Sequence, residues 1–104
     1  MNEVIQRIDS CVERYEGGEW QSVESLRDLL RDITTAYYHL TKYSIEAYRK
    51  HNGIMFLFDG SAARGKIKAD EDVPELRMIR KIMEAADQVI WSIRSELSII
   101  KKES

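Results

Sequence analysis

The residues of this chain nearest to a recognisable chemistry are Gly60-Ser61-Ala62-Ala63-Arg64-Gly65-Lys66, a G-x-x-x-x-G-K pattern that follows the apolar run 54–58, IMFLF. This is most of a P-loop, in which backbone N–H groups and a lysine cradle nucleotide phosphates. A working P-loop also needs a buried strand before the first glycine and a helix opening at the Gly-Lys. It needs a Ser or Thr after the lysine to hold magnesium. Here Ile67 replaces the hydroxyl residue, no second strand is evident to complete a parallel sheet, and the next helical pattern begins only near Asp72. The segment therefore reads as a glycine-punctuated basic loop. Its Arg64, Lys66 and Lys68 are suited to contacting phosphates without hydrolysing anything.

Other reactive residue types are scattered. Asp70-Glu71-Asp72 lacks the ligand spacing of a calcium loop and reads better as helix capping. His39 and His51 have no Cys or carboxylate at ligand spacing; His39 falls on a polar helix face and His51 on an apolar stripe. No G-x-S-x-G or comparable nucleophile motif occurs. Cys11 is the single cysteine, so no disulfide forms within one chain, and it reads as a small buried residue. These residues form no catalytic constellation. The expectation is a non-enzymatic protein with no metal and no cofactor.

The basic residues are better organised. Residues 1–33 carry four basic and eight acidic side chains, a net of −4. Residues 34–82 carry nine basic and six acidic, a net of +3, and the remainder has a net of −1. Arg49 and Lys50 follow Tyr48. Arg64, Lys66 and Lys68 lie in the loop, and Arg77, Arg80 and Lys81 open the last helix. Together they form a basic, partly aromatic strip of the kind that holds single strands by phosphate contacts and base stacking. The plainer reading is a solvated face, with Arg80 paired to Glu84 at i,i+4. A second surface is marked by Tyr38, Ile45 and Trp91, large apolar side chains on otherwise polar helix faces. Such residues mark an oligomer or partner interface.

Three helical segments must position these groups. The first spans about 3–16, with Ile5, Ile8, Val12 and Tyr15 at 3-4-3 spacing, and Gly17-Gly18 ends it. The second spans about 20–51; Val23, Leu26, Leu30, Ile33, Tyr37, Leu40, Ser44 and Ala47 keep a 3-4 spacing, flanked by Leu29, Ala36 and Tyr43. Asn52-Gly53 reads as its stop. The third spans about 73–102, with Leu76, Ile79, Met83, Ala86, Ile90, Ile93, Leu97 and Ile100 in heptad register and Asp72 as N-cap. Residues 52–72 are left as a long basic loop. The fold class is all-α: one domain, a small helical bundle with two long heptad-patterned, coiled-coil-like helices, a short N-terminal helix and that loop. The long helices pack on each other, the first covers part of the seam, and self-association into a homo-oligomer buries what remains. No stretch approaches the ~20 apolar residues of a membrane span. The N-terminus has no signal-peptide character, so a cytoplasmic protein without a membrane partner is expected.

The segment from Lys66 to Lys101, KIKADEDVPELRMIRKIMEAADQVIWSIRSELSIIK, resembles the C-terminal part of phage recombination-mediator proteins of the UvsY type. The shared features are a basic loop, the entry Ala69-Asp70-Glu71-Asp72-Val73, and a long amphipathic helix ending in Ile-Lys. The upstream helix with tyrosines before a glycine-containing loop is also similar. The resemblance implies a small, helical, oligomeric protein that binds single-stranded DNA and helps load a recombinase. The alternative is a small phage-type interaction or inhibitor module that binds a host protein or sequesters a small ligand.

Overall fold

The computed structural model describes residues 1–18, 20 and 22–103, the side chains of 102 and 103 excepted. Four helices follow one another: α1 (Asn2–Glu16), α2 (Val23–Leu57), α3 (Ala62–Asp72) and α4 (Glu75–Glu103). Among the described residues there is no strand.

Local signals begin and end these helices. Gly18 takes φ +66° after α1, and its N–H donates to the Tyr15 carbonyl. A left-handed residue just past a helix end is a glycine's natural place. Ser22 caps α2 by accepting from the Ser25 N–H at 3.0 Å. Ser61 caps α3 in the same way, accepting from the Arg64 N–H at 3.2 Å.

The connection 52–72 is not a loop. α2 runs straight through Asn52-Gly53 to Leu57, and α3 occupies most of the rest. One helical glycine costs only about 1 kcal/mol against alanine. Seating Ile54 against the core and shutting Gly65 and Ala69 away from solvent outweighs that. Asp72 is accordingly not the N-cap of the last helix. It ends α3 and pairs with Lys68 at 3.4 Å. Pro74 separates the two helices, because it lacks an N–H and pushes Val73 out of helical geometry, to φ −128° and ψ 65°.

α2 and α4 are antiparallel: Tyr37 meets Asp87, and further along α2 Tyr48 meets Arg80, earlier on α4. α1 returns beside the first half of α2, where Arg14 pairs with Asp32 at 3.5 Å, and it touches α4 through Tyr15 and Glu96. α3 folds back on the last turns of α2. Asp32 borders α1 and Lys50 borders α3, and they stand 18 residues apart, five whole turns. So α1 and α3 lie one beyond the other along one side of α2, with α4 on the other. The result is a rod of 61 × 26 × 19 Å.

The core is built from Ile8, Cys11, Leu26, Leu29, Ile33, Ala36, Leu40, Ile79, Ala86 and Ile93, with Val73 and Leu76 where α3 joins α4. Leu29 and Ala36, flanking residues by pattern, are fully buried, whereas Leu30 and Tyr37 are only partly so. The shift follows from α2 being covered on two sides rather than along one seam. No helix is long and apolar enough to cross a membrane among the described residues.

Candidate nucleic-acid interface

The eight basic residues do not form one continuous strip, because α3 stands between them. On the side facing α4, Lys66 of α3 and Arg77 and Arg80 of α4 border a cleft of about 510 Å³ around Pro74, floored by Val73 and Leu76. On the other side, Arg49, Lys50 and Lys68 border an apolar groove of about 530 Å³ that also includes Ile54, Leu57, Phe58, Asp59 and Asp72. Arg64 is exposed on α3 and borders neither. Lys81 is exposed one turn beyond Arg77, outside the cleft.

In the α3–α4 cleft Arg80 is the most firmly held cation. Its Nε donates to the Tyr48 hydroxyl at 2.6 Å, and its guanidinium carbon lies 4.5 Å from the Tyr48 ring centroid. A cation on a half-exposed ring gains from the ring quadrupole and fixes the direction of the guanidinium. The one acid at the cleft is Asp70, and it is already engaged. His51 Nε2 donates to Asp70 Oδ1 at 2.6 Å, with the His51 side chain only 10% exposed and that of Asp70 58% exposed. The His51 hydrogen bond holds the Asp70 carboxyl below the usual carboxylate range, and the charges of Lys66 and Arg80 add to the effect against a desolvation that opposes it. No ion pair to Lys66, Arg77 or Arg80 within 4 Å occurs among the described residues.

The segment that resembles a P-loop is placed differently from one. Gly60 sits in the turn, at φ +150°, where a Cβ would come within 2.9 Å of the Phe58 ring. Gly65 is buried inside α3 against Phe58, so it serves packing. Lys66 is a full turn into the helix, and Ser61 takes up an N-terminal amide that a phosphate would need. The arrangement offers cations to an anion and no backbone cradle.

The other candidates are surface or core. Tyr38, Ile45 and Trp91 are 60%, 48% and 72% exposed. Trp91 lies one turn beyond Asp87, at the α2–α4 seam, and about 140° around α4 from Glu96, which faces α1. Tyr38 follows Tyr37 at the same seam, and Ile45 is two turns further along α2. All three therefore share the broad face that α1 leaves open. Lys42 Nζ rests 4.8 Å over the Tyr38 ring, and His39 meets that ring edge-on. Cys11 is 4% exposed; burial, then Asp32, pushes its thiol up, against Arg14. Tyr15 donates to Glu96 Oε1 at 2.9 Å, and burial and that contact push its hydroxyl up; Glu96 Oε2 is buried without a hydrogen-bond partner among the described residues. No group of three His, Cys, Asp or Glu suited to a metal occurs among the described residues.

Sequence reasoning missed the His51–Asp70 and Tyr48–Arg80 contacts. Both join α2 to residues 19 and 32 positions away, and neither spacing carries a signal without α3 in place. The helicity of α3 did carry one: Ser61 precedes eleven residues without proline or a β-branched run, Ile67 excepted. No family model matches this chain, and no curated protein or solved structure is significantly similar to it.

Proposed function

We propose that this chain is a non-enzymatic, oligomeric helical binding protein that holds single-stranded nucleic acid at the α3–α4 cleft. The reading is carried by one observation: Lys66, Arg77 and Arg80 converge on one cleft whose sole acid, Asp70, is bonded to His51. Arg80, held over the ring of Tyr48, offers its guanidinium plane for a base to stack on. The resemblance to UvsY-type mediators, drawn on residues 66–101 and the tyrosine-bearing helix before them, about two thirds of the chain, supports the same reading. Phosphate contacts release counterions, so affinity falls with salt by about 0.7 in log–log slope per contact on a single strand. Titration of a labelled single-stranded oligonucleotide at several salt concentrations tests it. The K66A/R77A/R80A variant is expected to bind more weakly, with a slope smaller by about 2. Equal affinity and slope in variant and wild type would overturn the assignment.

A second reading rests on the face of Tyr38, Ile45 and Trp91. A 72% exposed tryptophan on the same face as a 60% exposed tyrosine is an anchor for a protein partner or a second copy. In that reading the chain is an interaction or inhibitor module, phage-type in character, that captures a host protein or a small ligand.

A further inference from the structure

We propose that the free end of the α2–α3 hairpin seats this protein on the surface of an anionic lipid bilayer. The last turn of α2 presents Phe56 and Leu57, 88% and 81% exposed, the two most exposed of the large apolar side chains. Met55 beside them and Ile67 on α3 are 38% and 57% exposed. Adjacent large apolar side chains held in water at the tip of a rod mark a contact surface.

The surroundings identify the contact. Arg49 and Lys50 lie seven residues behind Phe56 and Leu57, about 10 Å back along the helix axis. Arg64, Lys66 and Lys68 stand on α3, which runs back alongside. Between positions 49 and 68 there are five basic side chains and a single acid, Asp59; Lys68 is paired with Asp72, and the acids 70–72 lie at the end of α3 farthest from the tip. An amphipathic element at a bilayer buries its apolar part about 5–10 Å into the boundary between headgroups and acyl chains. That depth brings this ring of cations level with anionic headgroups, where each basic residue adds attraction.

Other occupants fit less well. A second copy docked symmetrically would set two such cationic ends against each other. A peptide in the groove between α2 and α3 would reach Leu57 and leave Phe56 and Ile67 outside, since neither lines that groove. A bilayer is broad enough to take all of them. The contact is peripheral, as no helix here crosses a membrane.

The test is co-sedimentation of the full chain with vesicles of phosphatidylcholine alone and of phosphatidylcholine with about a quarter phosphatidylglycerol. Binding is expected to the anionic vesicles and not to the neutral ones. F56S/L57S should lose about tenfold or more in partitioning, with unchanged far-ultraviolet circular dichroism and unchanged oligonucleotide affinity. That last readout keeps this proposal separate from the cleft, which uses neither residue. No sedimentation with anionic vesicles at low salt would overturn it. So would an F56S/L57S variant that partitions like wild type, which would mean charge attraction alone. Loss of binding to excess soluble glycerophosphate would point to a small-anion site and overturn it as well.

Discussion

His51 and Asp70 join α2 to α3 through a charged group, and the consequence is a dependence on pH. The carboxyl of Asp70 is held below its ordinary value by His51, Lys66 and Arg80. A carboxyl with a lowered folded pKa stabilises the fold above its unfolded value of about 3.9, and that contribution is lost as pH falls through the folded value. Asp70→Asn is therefore expected to unfold at lower denaturant than wild type at neutral pH, and the gap should close as the pH falls below about 4. Urea melts of both proteins at several pH values check this. A gap that stays constant to the acid limit would show that Asp70 acts through shape rather than charge. His51 is 8% exposed yet polar, so its ring nitrogen needs a partner. Asp70 supplies it from the exposed side, and the same bond occupies the only acid of the cationic cleft.

At the scale of elements, the decisive feature is that α2 does not stop at Asn52-Gly53. Its stop signal is real as local chemistry, but a helix is held chiefly by the packing of its apolar face. Ile54 packs on the core and His51 is buried beside it, so the helix continues to Leu57. Nothing lies within 4 Å of a Cβ built on Gly53, and its φ is not positive. Gly53→Ala should therefore raise stability by about 0.5–1 kcal/mol with an unchanged denaturant m-value. A destabilised variant would mean that the chain turns at this position. Gly65 is the opposite case. A Cβ there would press on Phe58 at 3.3 Å, the contact that closes α3 onto the end of α2. Pro74 sets the other boundary of α3. Because the chain breaks there, Arg77 and Arg80 face back toward Lys66 rather than continuing one straight row.

The whole molecule is a rod with distinct surfaces along it. One broad face, opposite α1, carries Tyr38, Ile45 and Trp91; one end carries Phe56 and Leu57 among cations; the cleft lies between. Charge follows the same division, with the acidic 1–33 segment in α1 and the start of α2 and the basic surplus in the middle of the chain. If the broad face joins copies of the chain, Trp91→Asp should lower the mass measured by light scattering to that of one chain, 12.2 kDa. Helicity should be unchanged, because Trp91 is 72% exposed and contributes little to the core. An unchanged mass in an assembling protein would place the interface elsewhere. Each surface has residues of its own, Arg77 and Arg80 for the cleft, Trp91 for the face, Phe56 and Leu57 for the tip, and only Lys66 is shared between cleft and tip.

Periodicity alone determines that this chain is helical and which sides of its helices are buried. Ile8, Leu26, Ile33, Leu40, Ile79 and Ile93 are all on stripes readable at 3-4 spacing, and all are fully shut away from solvent. Burial of an apolar side chain is worth about 1.5–3 kcal/mol, large enough for pattern to prevail over local preference. Capping chemistry is also local, so the end of α1 at Gly17-Gly18 is legible in the letters. The region 52–72 is legible only in part: Ser61 is a cap signal for α3, but the glycines, the charges and one short apolar run balance at the level of the segment. There the outcome rests on what the segment packs against, and that is known only once α2 and α3 lie side by side. The same holds for the cations. Eight basic residues close in sequence read as one strip, yet α3 divides them into two groups, with Arg64 and Lys81 apart. Which charges share a cleft depends on the angle at which helices cross and fold back, a property of no single stretch of chain.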